Sequence, residues 1–207
     1  MAERRRPYAP RVPPERRREQ LLDAALAIIT ERGYPAVSIE AVARAVGVTR
    51  PVVYSAFPGL PVLLATLLRR EERRALEQLE AIVPADPGAR DPDELVVEAL
   101  TGFLRAVRAN PATWRLILLP VQGTPELVRR QVERNRERIL ARVRALVAWG
   151  LERRGGPEDL DEDLTARAIL VLCEEAGRLV LTDPVAFTPE RLTEFAAALL
   201  AAVRRAS

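Results

Sequence analysis

Thr49, Arg50, Tyr54 and Ser55 place three hydroxyls and a guanidinium within seven consecutive positions, with the compact Pro51 and Val52 between them and a further hydroxyl upstream at Ser38. Groups of this kind donate and accept hydrogen bonds at a polar partner's surface. The parts that most enzymes use are missing. There is no histidine, and Cys173 is the only cysteine, which excludes an internal disulfide, a zinc finger, a His-ligated metal and any Ser-His or Cys-His pair. Carboxylate chemistry is left open. Glu174 and Glu175 lie in an otherwise apolar segment and could meet a cationic ligand, but Arg178 is four and three residues further on and can pair with either.

The hydroxyl-rich stretch must be held by structure, and its own spacing suggests which. Ser38 precedes Ile39, Val42, Ala43 and Val46 as an N-cap before a short amphipathic helix, and Gly47 follows where a tight turn needs positive φ. Thr49 is placed to cap the next helix, with Pro51 tolerated in its first turn and Phe57-Pro58-Gly59 ending it. Two short helices across a glycine turn can present the second to the major groove, about 12 Å wide. On spacing alone a purely structural hairpin is equally compatible.

Around this stretch the chain reads as helix throughout. Apolar positions at Leu22, Ala25, Leu26 and Ile29 predict a first helix from Glu15 that stops at Gly33. Further helices are predicted from Pro61 to about Val83, then over 93–109, 112–118, 125–153, 161–181 and 189–205, with Gly, Pro or Asp at each junction and a loop from Pro84 to Pro92. No segment keeps the alternation a strand needs. Residues 1–14 hold Arg4, Arg5, Arg6 and Arg11 with prolines at 7, 10, 13 and 14, which predicts an extended, flexible basic arm.

At 207 residues and 23.0 kDa, with 48% hydrophobic and 29% charged residues, the chain can build a real core. No apolar run reaches the eighteen or so residues of a membrane span, and no apolar stretch follows the first arginines as in a secretory signal, so a cytoplasmic protein without a membrane partner is expected. All 32 basic residues are arginine, in keeping with a GC-rich coding bias. Ten of them fall in residues 1–58 against six acidic residues, while 59–207 hold twenty-two against twenty-three. The excess of positive charge is N-terminal, which suggests a nucleic-acid or membrane-surface role for that end.

The segments Leu21-Leu22-Asp23-Ala24-Ala25, Glu31-Arg32-Gly33-Tyr34 and Gly47-Val48-Thr49-Arg50-Pro51-Val52-Val53-Tyr54-Ser55-Ala56-Phe57 closely resemble the N-terminal domain of the TetR (tetracycline repressor) family. The resemblance covers about residues 18–68 and implies an all-α fold: a three-helix helix-turn-helix domain at 15–60, then a larger helical ligand-binding and dimerisation domain at 61–207. It implies that Ser38 and Tyr54 meet backbone phosphates. Thr49, Arg50, Pro51 and Val52 would lead the recognition helix with Ser55 beside them, and Val42, Ala43, Val46, Val48, Val53 and Phe57 would be core. The chain departs from the family pattern at Glu40, where a basic residue is frequent, at Ser55 and Ala56, and at Leu60, where a lysine commonly holds a phosphate. Arginines of the arm and of the first helix, Arg16, Arg17 and Arg18 among them, can compensate along phosphates or in a narrow minor groove, and Arg16 and Arg18 are taken as DNA contacts.

For the body, the resemblance implies a small-molecule effector and a homodimer. The mostly apolar 164–181 and the small, apolar Phe195-Ala196-Ala197-Ala198-Leu199-Leu200 suit a four-helix interface between two chains, and a C2 dimer suits a palindromic DNA operator. Phe103, Trp114, Ile117, Trp149 and Cys173 are candidates to line an apolar effector cavity, or else are plain core. No cofactor or metal is expected. A ligand-responsive repressor is the leading function, ahead of a ligand-independent DNA-binding protein and of a helical enzyme using carboxylates.

Overall fold

The computed structural model describes residues 12–82, 87–119, 126–154 and 160–206. Among them are nine α-helices, one 3-10 turn and no strand. The helices are α1 (Pro14–Arg32), α2 (Ile39–Val46), α3 (Arg50–Ala56), α4 (Leu60–Ile82), α5 (Pro92–Ala109), α6 (Pro111–Leu118), α7 (Glu126–Arg154), α8 (Glu162–Thr182) and α9 (Pro189–Ala206), with the 3-10 turn at Tyr34–Ala36. Residues 1–11 of the expected arm, Val83 and residues 84–86 of the expected loop lie outside the described residues. Several helices begin one residue earlier than periodicity suggests because a proline takes the first position, as Pro14, Pro92 and Pro111 do. The amide that proline lacks there would have had no helical partner.

Local chemistry accounts for the helix ends. Ser38 Oγ accepts from the Ala41 N–H at 3.0 Å and starts α2. The far end closes at Gly47, with φ 71° and ψ 35°. Val48 N–H returns to the Ala43 carbonyl at 2.9 Å and Gly47 N–H to the Arg44 carbonyl at 3.2 Å, the paired bonds of a Schellman ending. A Cβ at Gly47 would meet nothing within 4 Å, so glycine is there for its dihedral and not for space. Asp91 caps α5 and Asp161 caps α8 through their carboxylates.

Thr49 holds the N-cap position of α3 with an extended backbone, but its hydroxyl makes no capping bond. A cap hydroxyl accepts from the second or third helical N–H. The second residue is Pro51, which has none, and the third, Val52, already donates to the Thr49 carbonyl at 3.0 Å.

Two main cores result. In the first, Leu21, Leu22, Ala25 and Ile29 of α1 pack with Val42, Val53 and Phe57 and with Leu63 and Leu67 of α4. In the second, Ala75 of α4 joins Leu104 and Val107 of α5, Trp114 and Leu118 of α6, and Val180 and Leu181 of α8. A smaller cluster of Leu140, Val147, Ala166 and Leu170 joins α7 to α8. Both α4 and α6 serve the two larger cores, for Leu116 of α6 packs into the first while its neighbours fill the second. Two arginines clasp α6 to α8 reciprocally: Arg115 donates to the Leu181 carbonyl at 2.8 Å and Arg178 to the Leu118 carbonyl at 3.0 Å.

Candidate nucleic-acid interface

The core face of the helix-turn-helix consists of Val42, Ala43, Val53 and Phe57, all buried, with Val46 and Val48 half-buried against the same cluster. With that face fixed inward, the opposite face of α3 must point out. Thr49, Arg50, Pro51, Tyr54 and Ser55 are exposed and Val52 is half-buried. Tyr54, at 46% exposure, is a large side chain left in solvent on a helix that buries Val53, and its phenol is available to an external acceptor or donor. Ser55 Oγ donates to the Val52 carbonyl at 2.8 Å, which leaves its oxygen lone pairs outward. Ser38 is exposed, and the bond it accepts from Ala41 keeps its O–H as a donor.

The basic residues divide. Arg50 and Arg16 are exposed, on α3 and α1 respectively. Arg18, grouped with the DNA contacts by sequence, turns back onto α3: it donates to the Ala56 carbonyl and its guanidinium carbon stands 4.3 Å from the centroid of the Phe57 ring. Arg44 of α2 is a basic surface residue that the motif does not single out. It pairs with Glu40 one turn earlier at 2.8 Å, so the acidic departure at Glu40 is neutralised locally.

In the body, Phe103, Trp114 and Ile117 come together in the second core. Phe103 and Trp114 meet edge to face with centroids 5.1 Å apart, and Trp114 Nε1 donates to Gln78 Oε1 at 3.1 Å. α8 crosses close above them at Gly177, where a Cβ would fall 2.7 Å from Leu118 Cδ1 and 3.0 Å from Phe103 Cζ. Trp149 and Cys173 are half-buried on α7 and α8 and do not join that cluster. Burial pushes the Cys173 thiol up to about 11, with the Glu174 carboxylate adding to the effect, so it is a neutral thiol near pH 7. Glu174 itself is held by Arg136 of α7 at 2.7 Å and by Arg178 at 3.5 Å, and Glu175 by Arg178 at 3.1 Å. Both carboxylates are thus engaged in ion pairs. An open groove of about 760 Å³ runs between α5 and α9, lined by Asp93, Glu94, Val97, Glu98, Ala197, Leu200 and Ala201. Its small and acidic residues carry no aromatic signal by which sequence could mark it.

Residues 21–60 match the family model described as bacterial regulatory proteins, tetR family. The chain is 32% identical over 130 residues to TtgW of Pseudomonas putida, an HTH-type transcriptional regulator, with 61% of this chain and 91% of that protein covered. It is 33% identical over 108 residues to the HTH-type transcriptional repressor KstR of Rhodococcus jostii, covering 46% of this chain and 51% of KstR. It thus spans about half the length of that relative. Among solved structures, a TetR-like transcriptional regulator from Rhodococcus sp. RHA1 superposes with a TM-score of 0.73 at 25% identity, over 92% of this chain and 99% of that one.

Proposed function

The chain belongs to the TetR family of bacterial regulatory proteins, a DNA-binding transcriptional regulator with a helix-turn-helix, and from that premise we propose that it is a ligand-responsive repressor acting as a homodimer on a palindromic operator. The observation that carries this reading is the outward face of α3, where Thr49, Arg50, Pro51 and Tyr54 are exposed on a helix whose other side is locked by Val53 and Phe57. In this reading residues 15–60 recognise DNA, with Arg50 at base edges beside Thr49, Pro51, Val52 and Ser55, and Ser38, Tyr54 and Arg16 at phosphates. The arm at 1–14 lies along the backbone, and 61–207 senses and dimerises.

Apolar surface supports the dimer. Leu164, Val171 and Leu172 of α8 and Phe195 and Leu199 of α9 are exposed, and such faces mark association surfaces in soluble proteins. Two helices from each chain would close an isologous interface and set two α3 helices at half-sites about 34–36 Å apart, or a multiple of that.

The effector proposed is an apolar or amphipathic small molecule that meets Phe103, Trp114 and Ile117, with Trp149 and Cys173 further out. α6, which bears Trp114 and Ile117 beside Phe103 of α5, links this site to the DNA-binding domain, because Thr113, next to Trp114, bonds α4 while Leu116 packs in the core of the helix-turn-helix. A ligand that favours an α6 position incompatible with matched half-sites lowers DNA affinity by its differential affinity for that state. A ligand-independent DNA-binding protein is the alternative.

Selection of duplexes from a random pool by the full chain tests the reading directly. Enriched palindromes bound by two chains support it, whereas enrichment without symmetry and light scattering that shows only monomer overturn the dimer. Quenching of Trp114 and Trp149 by a series of apolar and amphipathic small molecules, with and without the selected duplex, tests the effector. Binding that is equally tight in both cases rules a compound out as inducer.

A further inference from the structure

Arg18 stands on α1 beside Arg16 and Arg17, yet its guanidinium reaches the end of α3, 38 positions away in sequence. α3 has seven residues, too few to persist as an isolated helix, so its orientation is imposed by what holds its two ends. At the leading end the Gly47 turn sets the approach and Thr49 adds no side-chain cap. At the trailing end, Phe57 N–H closes on the Val53 carbonyl at 2.8 Å and the Phe57 side chain is fully buried. Arg18 completes that end. It donates to the carbonyl of Ala56, the last helical residue, which has no partner within the helix, and it stacks its cation 4.3 Å from the centre of the Phe57 ring. A cation at this end also faces the negative pole of the helix dipole.

We infer that Arg18 is a positioning residue for sequence recognition: by bonding Ala56 and covering Phe57 it fixes the tilt of α3 against α1, and it acts on DNA through α3 and not through a phosphate. The planar guanidinium suits both tasks, since it can lie on a ring while its in-plane N–H groups reach a carbonyl, and an ammonium cannot reproduce that geometry. Arg18 is an exposed residue, so its replacement opens no internal cavity and uncovers only the face of Phe57 that it stacks on.

The inference rests on DNA recognition by α3, and its test separates the two. The full chain selects duplexes from a random-sequence pool. Affinities of wild type, Arg18→Gln and Arg18→Lys are then measured across a salt series for an enriched duplex and for a random duplex of equal length, well below the unfolding temperature. Both variants are expected to bind the enriched duplex about tenfold more weakly, a loss of the size of one stacked, charge-assisted contact, with a smaller loss on the random duplex and an unchanged salt slope. Wild-type affinity in Arg18→Lys overturns the inference. So does an Arg18→Gln loss that is equal on both duplexes and flattens the slope by about 0.9, the signature of one phosphate contact. If wild type enriches no duplex, recognition itself fails and the role of Arg18 falls with it.

Discussion

Thr113 Oγ1 donates a 2.5 Å hydrogen bond to Glu71 Oε2, joining two buried side chains 42 positions apart. The other oxygen of Glu71 accepts from Arg70 Nε at 2.8 Å and from Arg74 at 3.1 Å, and Arg70 continues to Glu19 at 2.7 Å and Asp23 at 2.8 Å. One polar chain thus runs from α1 through α4 to α6, with Arg70 only 4% exposed and Glu71 fully buried. Charges this deep are tolerated only while each keeps its partners.

Thr113→Val keeps the shape and removes the donor to Glu71. A hydrogen bond to a charged group contributes about 1.5–3 kcal/mol, so the urea midpoint should fall accordingly. Arg70→Met should cost more, up to about 3–5 kcal/mol, because it removes the buried counter-charge of Glu71 and leaves only the partly exposed Arg74 paired with it. Equal midpoints for wild type and Thr113→Val would show that the bond adds no net stability.

Glu72, the next residue, behaves differently. Burial holds its carboxyl above the usual range, against the opposing effect of hydrogen bonds from Asn135 and Gln131 and of the charges on Arg134 and Arg138. The folded chain therefore binds this proton more tightly than the unfolded chain, and the contribution of Glu72 to stability falls as pH rises from the ordinary carboxyl value through the raised one. Glu72→Gln should remove that component. Compared with wild type it should gain stability progressively from acid toward neutral pH, in unfolding midpoints taken at intervals across the window. A difference that is flat with pH contradicts the shift.

Tyr54→Phe and Arg50→Ala should separate positioning from reading. Loss of the exposed Tyr54 hydroxyl should weaken selected and random duplexes alike. Arg50→Ala should cost about 1–3 kcal/mol more on the selected duplex than on random DNA if it grips a base in bidentate fashion. Equal losses, read in filter binding on both duplexes, would move Arg50 to the backbone.

Deletion of residues 1–14 removes Arg4, Arg5, Arg6 and Arg11. Each phosphate no longer neutralised should reduce the slope of log affinity against log salt by roughly 0.9. A slope identical to that of the full chain would show that the arm stays off the DNA.

Phe195→Asp places a charge on the exposed face of α9, where the phenylalanine is 67% exposed in the single chain. Light scattering should then give a monomer, with operator affinity reduced because the second half-site no longer binds in the same event. A dimer that persists would locate the interface elsewhere.

The helix-turn-helix was largely legible because its signals act over a few residues. The Ser38 cap, the Gly47 turn and the inward positions Val42, Val53 and Phe57 follow from capping chemistry, a required dihedral and helical period, all found as expected. Where a local signal failed, another local rule explains it: Pro51 denies Thr49 the amide it would have capped. The aromatic positions of the body were harder. Phe103, Trp114 and Ile117 do assemble, whereas Trp149 and Cys173 stand apart, since composition marks which residues avoid water but not which of them share a cluster.

By itself the sequence determined an all-helical chain, the positions of most helix ends, the core face of the helix-turn-helix and, through its motif, the family. These depend on interactions spanning at most a turn of helix. The tertiary structure alone decided where the charges went: Arg18 onto Phe57, Glu71 beneath Thr113, and Glu174 against Arg136 of another helix. An arginine or glutamate on a helix is compatible with solvent, an ion pair or burial, and the choice falls to whichever partners other helices bring within hydrogen-bond reach.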